Sequence, residues 1–199
     1  MRPGMEFEFN KADELFIMAI IPSKFFLTRG KGVHEKDMLA FELALRECGV
    51  HQQNHVKISS IIPPGCQRIT RQQGIRLLKP GQVCFSVIAQ SETNEPGQII
   101  SAGIGLAQPK DENLHGYLTE LEEIIGRTEK DVAKDVEEMA IENLVTEWGY
   151  QYNESVVRLG KKNYRLHNRD VMADSLVQTA QGADKNLYTV VLVMAVFIY

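Results

Sequence analysis

Residues 56–65 read Val-Lys-Ile-Ser-Ser-Ile-Ile-Pro-Pro-Gly, a β-branched run that contains a serine pair and ends at a double proline. The isoleucines predict a buried strand, and the prolines end it because proline cannot donate a ladder hydrogen bond. The serine pair also carries a possible reaction, since the Ser60 hydroxyl can attack the Ser59 carbonyl and turn the peptide bond into an ester. A pair held at a strand end in a strained, defined conformation favours that shift. The alternative, a serine pair that only forms turn hydrogen bonds, stays open.

The composition indicates a globular protein of one domain. The chain has 199 residues, a hydrophobic content of 44% and a net charge of -4, which argues against nucleic-acid binding. Three cysteines, Cys48, Cys66 and Cys84, have no metal-ligand spacing and form no disulfide framework, which indicates a reducing cytoplasm. The five histidines show no metal-ligand spacing, and no pyridoxal-phosphate context surrounds Lys57. We therefore expect neither a metal nor pyridoxal phosphate.

Two segments have helical periodicity. The first begins at Asp37, a predicted N-cap, and ends at Gly49, a predicted C′ residue. The second begins at Thr128, in a capping-box pattern with aspartate in the glutamate position, and ends before Gly149. The predicted apolar face of the second helix consists of Val132, Val136, Met139, Ala140, Leu144 and Trp148.

Most of the remaining chain has the pattern of strands. The predicted strands are residues 15–21, 24–28, 82–90, 98–107, 116–125, 170–178 and 187–199. The last of these is too short to span a membrane, which takes roughly 20 residues as a helix. Gly103 and Gly105 lie inside a strand pattern, which indicates close backbone approach more often than phosphate binding. Strands interrupted by two amphipathic helices predict an α+β sandwich whose helices cover sheet faces.

Several ordered blocks make the chain resemble the pyruvoyl-dependent arginine decarboxylases, from about Phe25 to the C-terminus. These blocks are LAFELAL at 39–45, NHVKISSIIPP at 54–64, PGQIISAG at 96–103, and PKD at 109–111 followed by Gly116 and Glu120. The resemblance implies a single-domain α+β fold in four αββα layers over residues 15–199, preceded by an N-terminal extension at 1–14.

The same resemblance implies a self-processing enzyme. Autocatalytic cleavage between Ser59 and Ser60 would leave a β chain of residues 1–59 and an α chain of residues 60–199 that begins with a covalent pyruvoyl group derived from Ser60. The implied reaction converts L-arginine to agmatine and carbon dioxide through a Schiff base. The implied assembly is a trimer of αβ units with active sites at subunit interfaces, which draw Ser60 and Glu120 from neighbouring copies or segments.

Three further residues receive roles from the resemblance. Glu120 matches the family's proton donor, and strand alternation puts it on one face with Leu118 and Glu122, opposite Glu123. Asn54 matches an asparagine of the processing and active-site region, where its amide could stabilise an oxyanion.

Glu42 aligns with an aspartate that faces the substrate's guanidinium. On sequence alone, Glu120 and Glu42 also fit exposed carboxylates, and Asn54 also fits a turn asparagine.

Three alternatives stay open. The longer side chain of Glu42 allows another cationic amino acid as the substrate. An unprocessed relative would survive as an oligomeric binding or regulatory protein. A thiol hydrolase that uses Cys66 is the third, although a lone cysteine in a loop is usually inert.

Overall fold

The computed structural model describes residues 20–184 and 186–199. The predicted extension at 1–14 and all but the end of the predicted strand 15–21 lie outside the described residues. The elements are, in chain order, β1 (Lys24–His34), α1 (Asp37–Cys48), β2 (Asn54–Lys57), β3 (Ile61–Ile62), β4 (Gln67–Arg68), α2 (Arg71–Leu77), β5 (Val83–Thr93), β6 (Ile99–Pro109), β7 (Gly116–Ile125), α3 (Glu129–Glu147), α4 (Tyr152–Ser155), β8 (Val156–Arg158), β9 (Asn163–Leu166), β10 (Arg169–Gln181) and β11 (Tyr188–Ile198). None of the helices in these described ranges is long and apolar enough to cross a membrane.

The strands form two sheets. The first sheet has the order β2-β5-β11-β1-β4, and the second has the order β3-β7-β6-β10-β9-β8. Long antiparallel pairs make up the centre of each sheet, with β1 against β11 in the first and β6 against β10 in the second. The short strands β2 and β4 join the first sheet in parallel at its two edges.

Apolar side chains fill the space between the sheets. Phe25 and Phe197 of the first sheet contact this core from one side, and Ile104 and Leu118 of the second contact it from the other. Helix α1 packs against β1 and β11 through one apolar cluster, and α3 packs against β6, β7 and β10 through two others. The predicted α+β class is confirmed.

The two predicted helices are confirmed with small corrections. Helix α1 ends at Gly49 in the left-handed region (φ 78°), but its N-cap is Lys36 and Asp37 is the first helical residue. Helix α3 begins after Thr128, whose side chain accepts a hydrogen bond from Asp131 N. Met139 is not part of the buried face of α3, because it is 37% exposed.

The strand predictions at 82–90, 98–107, 116–125, 170–178 and 187–199 are confirmed as β5, β6, β7, β10 and β11. The prediction for 24–28 was too short, since β1 continues through Gly30 and Gly32. Helix α2 was not predicted, although its capping box was visible as Thr70 followed by Gln73.

The strand glycines let each helix lie directly on its sheet. A Cβ atom at Gly32 would lie 2.0 Å from the Ala40 carbonyl oxygen of α1, and one at Gly105 would lie 1.9 Å from the Val136 carbonyl oxygen of α3. Both distances are far below van der Waals contact, and both neighbouring atoms belong to backbone. The prediction that Gly105 marks close backbone approach is therefore confirmed.

Gly105→Ala is expected to lower the free energy of unfolding by about 1–3 kcal/mol, because the new methyl group must displace the backbone of α3. Gly160→Ala is the matched control, since nothing lies within 4 Å of a Cβ atom there, and its effect should stay within about 0.5 kcal/mol. Urea denaturation at one protein concentration compares the two variants. Equal midpoints for both would contradict the close packing of α3 on β6.

Candidate active site

The serine pair lies where the chain crosses from the first sheet to the second. Ile58 N donates to Ser86 O at 3.0 Å, which is the last backbone bond to the first sheet before the serine pair. Ser60 O accepts from Leu118 N at 2.7 Å, the first bond to the second sheet. The prediction of one buried strand over this run was wrong, because β2 and β3 are separate strands of different sheets. Ser59 is the exposed link between them.

The side chain of Ser60 contacts a carboxylate of the second sheet. Ser60 Oγ donates to Glu120 Oε2 at 2.8 Å, and both side chains are half-buried. Glu120 follows the fully buried Leu118 on the face of β7 that points toward the first sheet, whereas Thr119 points the other way and donates to Val136 O of α3. Ser60 and Glu120 thus come from two segments of one chain.

Hydrogen bonds, not unusual backbone dihedrals, define the conformation of the serine pair. Neither Ser59 nor Ser60 has a positive φ, and no cis peptide bond occurs in the ranges 20–184 and 186–199. The expected backbone strain at the serine pair therefore takes neither the form of a positive φ nor that of a cis peptide bond. Ser60 has a defined position because its carbonyl oxygen and its hydroxyl group both form hydrogen bonds with β7.

A β-bulge lies two residues beyond Glu120. The pairing of β6 with β7 shifts register between Ser101 and Gly103, and Glu123 takes a φ of 54°. The prediction that Glu122 and Glu123 lie on opposite faces was wrong, since the bulge turns both toward one cavity of about 300 Å³. The other residues that line this cavity are Lys57, Gln90, Ser91 and Glu92.

Lys57 and Glu122 form an ion pair that the sequence did not suggest. Lys57 Nζ, at the end of β2, donates to Glu122 Oε1 at 2.5 Å and so joins the two sheets beside the serine pair. The sequence does place both charged residues close to site residues, because Lys57 lies three residues before Ser60 and Glu122 two residues after Glu120. It does not indicate that β2 and β7 lie next to each other.

The structure does not bring Asn54 to the serine pair. Its side chain is exposed, and Nδ2 donates to the Gly81 carbonyl oxygen at 3.0 Å, while its backbone N–H donates to Gln82 O. In this arrangement Asn54 fixes the start of β2 against the loop before β5.

Glu42 also lies away from Ser60 of the same chain. It is on α1, which packs over β1 and β11, and it accepts a hydrogen bond of 3.1 Å from Arg46 Nε. Strands lie about 4.8 Å apart in a sheet, so the three steps from β1 to β2 separate them by about 14 Å. No described contact joins Glu42 to Ser60 or Glu120 of the same chain.

The environment of Cys66 does not favour the thiol nucleophile considered above. Its side chain is 1% exposed, and burial raises the pKa of the Cys66 thiol to about 11, although the nearby Lys24 ammonium lowers it in part. The thiol is therefore protonated at neutral pH. A cavity of about 440 Å³ next to Cys66 and Arg68 lies toward the β4 edge and has neither Ser60 nor Glu120 in its lining.

The site is built from hydroxyl, carboxylate and ammonium groups. Within the part of the chain that the structure describes, no group of three or more His, Cys, Asp or Glu side chains could hold a metal ion. The chemistry available is a hydroxyl next to a peptide bond, a carboxyl group within hydrogen-bond reach of it, and one cation nearby.

Residues 24–199 match the family model described as pyruvoyl-dependent arginine decarboxylase. Similar proteins include the pyruvoyl-dependent arginine decarboxylase of Nitrosopumilus maritimus, which is 34% identical over 92% of this chain and 100% of its own length. That of Methanococcoides burtonii is 34% identical over 90% of this chain and 99% of its own. The probable pyruvoyl-dependent arginine decarboxylase of Chlorobaculum parvum is 35% identical over 91% of this chain and 99% of its own.

Proposed function

This chain belongs to the pyruvoyl-dependent arginine decarboxylase family, and we propose that it cuts its own backbone between Ser59 and Ser60, converts Ser60 into a pyruvoyl group and decarboxylates L-arginine to agmatine. The observation that carries the proposal is the hydrogen bond of 2.8 Å from Ser60 Oγ to Glu120 Oε2. It joins the residue that would become the cofactor to an acid that can deliver a proton. Family membership supplies the reaction class, that of a carboxy-lyase.

The surroundings of Ser60 fit a pyruvoyl group. Its carbonyl oxygen is bound by Leu118 N, and the next two residues, Ile61 and Ile62, pair with β7. Residue 60 therefore keeps its backbone support when its bond to Ser59 is removed. Leu118 and Ile62 are fully buried and limit the access of water from the core side.

The cut needs only atoms of the chain and one water molecule. Ser60 Oγ bonds to the Ser59 carbonyl carbon while the peptide C–N bond breaks, and the freed α-amino group takes the hydroxyl proton. Loss of the Cα proton of residue 60 then expels the Ser59 carboxylate and leaves dehydroalanine. Addition of water and release of ammonia turn dehydroalanine into the ketone.

Glu120 would act in turnover as the proton donor. A pyruvoyl group supplies a ketone that takes the substrate amine as a Schiff base and accepts the electron pair left when carbon dioxide departs. Glu120 would deliver the proton that replaces carbon dioxide on the substrate's α-carbon. Its hydrogen bond to Ser60 Oγ puts it within reach of a substrate attached at residue 60.

The fold supports an enzyme that works in two pieces. Fragment 1–59 contributes β1, which pairs with β11 of the other fragment along its full length from Lys24 to His34. It also contributes α1, which packs on β1 and β11, and β2, which pairs with β5. These contacts would hold the fragments together under native conditions after the backbone is cut.

Two site assignments depend on assembly or rearrangement. We propose that the enzyme is a homo-oligomer, with a trimer as the expected form, in which Glu42 binds the substrate's guanidinium in another copy's site. A role for Asn54 in processing requires its amide to leave the Gly81 carbonyl.

The three buried, free cysteines fit a reducing compartment, for which we propose the cytoplasm.

Intact mass measurement tests the proposal. We expect two fragments, 1–59 and 60–199, with the second lighter by one ammonia than a fragment that begins with serine. Reduction in the presence of L-arginine should add the substrate-derived amine to fragment 60–199, and carbon dioxide release should be faster with L-arginine than with L-lysine or L-ornithine. A chain that stays uncut would favour a non-catalytic binding protein, and preference for another cationic amino acid would overturn only the substrate.

A further inference from the structure

The Lys57–Glu122 ion pair joins the two sheets beside the proposed cut. Lys57 is the last residue of β2, and Glu122 lies on β7, the strand that carries Glu120. Their charged atoms are 2.5 Å apart, with side chains 51% and 38% exposed. The ion pair therefore connects β2 to β7 through side chains, whereas residues 58–60 connect β2 through the backbone to β3, which pairs with β7.

Cutting the Ser59–Ser60 bond changes what holds β2 in place. Before the cut, β2 is tied to the second sheet by the chain that leads into β3. After the cut, the end of fragment 1–59 keeps the parallel pairing of β2 with β5, the bond from Ile58 N to Ser86 O, the side-chain hydrogen bonds of Asn54 and His55, and the ion pair. Asn54 and His55 lie at the start of this four-residue edge strand, so the ion pair is the side-chain contact of β2 nearest to the new chain end.

The cut also adds a negative charge to an acidic region. The Ser59 carboxylate forms two residues from Lys57, and the adjacent cavity is lined by Glu92, Glu122 and Glu123. Lys57 is the one cation in that lining. Like charges repel and would drive the new chain end away from β7, whereas the Lys57 ammonium offsets part of this repulsion.

We propose that the Lys57–Glu122 ion pair is a positioning element of the cleaved site, which holds the new end of fragment 1–59 against the strand that carries Glu120. The proposal rests on the proposed cleavage. The ion pair itself takes no part in bond breaking. By holding the end of β2, the ion pair would keep the side chain of Ile58 packed against the inter-sheet core near residue 60.

The test compares the ion pair in cut and uncut protein. Lys57→Met, Glu122→Gln and the charge-swapped double variant Lys57→Glu/Glu122→Lys are made in the wild-type chain and in Ser60→Ala, and intact mass first establishes which proteins are cut. Amide hydrogen exchange is then measured for residues 54–58. Each single variant should exchange about two- to fivefold faster than its parent in the cut protein, with little change in the uncut protein, and the double variant should restore the parent rate.

Lys134→Met is the matched control, because Lys134 and Glu138 form an exposed ion pair on α3 and its loss should leave exchange at 54–58 unchanged in both backgrounds. Equal acceleration in cut and uncut protein, or no acceleration in cut protein, would overturn the positioning role. Failure of both single variants to cleave would also overturn it, since the pair would then act before the cut. A wild-type chain that stays whole would instead overturn the proposed function.

Discussion

Ser60→Ala is expected to leave the chain whole and without decarboxylase activity. Alanine has no oxygen to attack the Ser59 carbonyl carbon, and no pyruvoyl group can form from it. The fold should persist, because the substitution removes one side-chain hydrogen bond to Glu120 and leaves the bond from Leu118 N to the carbonyl of residue 60. A denaturing gel and intact mass should show one uncut chain, and carbon dioxide release from L-arginine should fall to background.

Ser59→Ala separates the nucleophile from its neighbour. The proposed reaction uses the carbonyl group of residue 59 and not its side chain, which is exposed. We therefore expect Ser59→Ala to be cut at the same bond and to gain the same ketone. If Ser60→Ala were cut, the oxygen of Ser60 would not be the nucleophile. If Ser59→Ala stayed whole, cleavage would need the side chain of Ser59 as well.

Local sequence signals were sufficient for most of the fold. Gly49 and Thr128 mark real helix ends because a left-handed C-terminal residue and a side-chain cap are local features. The long strands could be predicted because each has a sustained apolar pattern. Helix α2 also has a local signal, the Thr70 and Gln73 capping box, but its seven residues are too few for a helical apolar period to stand out.

The crossing at the serine pair could not be predicted from local pattern. Residues 56–62 have the composition of one strand, and nothing in a strand pattern says which sheet it joins. The run divides into two strands because each part pairs with a strand that is distant in sequence: β2 pairs with β5, and β3 pairs with β7. The chemical interest of the pair could be predicted, but its position between two sheets could not.

The candidate site was predictable one residue at a time but not as an arrangement. Alternation along β7 correctly put Glu120 beside Leu118, and it failed at Glu123 because the extra residue of a bulge reverses the order of faces. The contact between Ser60 and Glu120 depends on the register of β3 against β7, which no short pattern encodes. Glu42 lies over β1, three strands from β2, because α1 packs where Gly30 and Gly32 leave room for it.

Glu120→Gln is expected to separate maturation from turnover. The glutamine side chain has nearly the same shape, and its Oε1 atom can accept the hydrogen bond that Ser60 Oγ donates to Glu120 Oε2. The geometry of the serine pair is thereby kept, and we expect the chain to be cut. The amide cannot give a proton to the substrate's α-carbon, so kcat should fall by about 10²- to 10⁴-fold, the usual contribution of a positioned general acid.

Reductive trapping of the ketone in each preparation distinguishes a lost proton donor from incomplete maturation, because kcat can then be expressed per pyruvoyl group and not per chain. Glu142→Gln is the matched control, as it removes one carboxylate from the exposed face of α3 and should leave both cleavage and turnover unchanged. A normal kcat for Glu120→Gln would mean that another group protonates the product. An uncut Glu120→Gln would mean that the carboxylate is needed to take a proton from Ser60 Oγ, and the hydrogen bond of 2.8 Å would then belong to maturation.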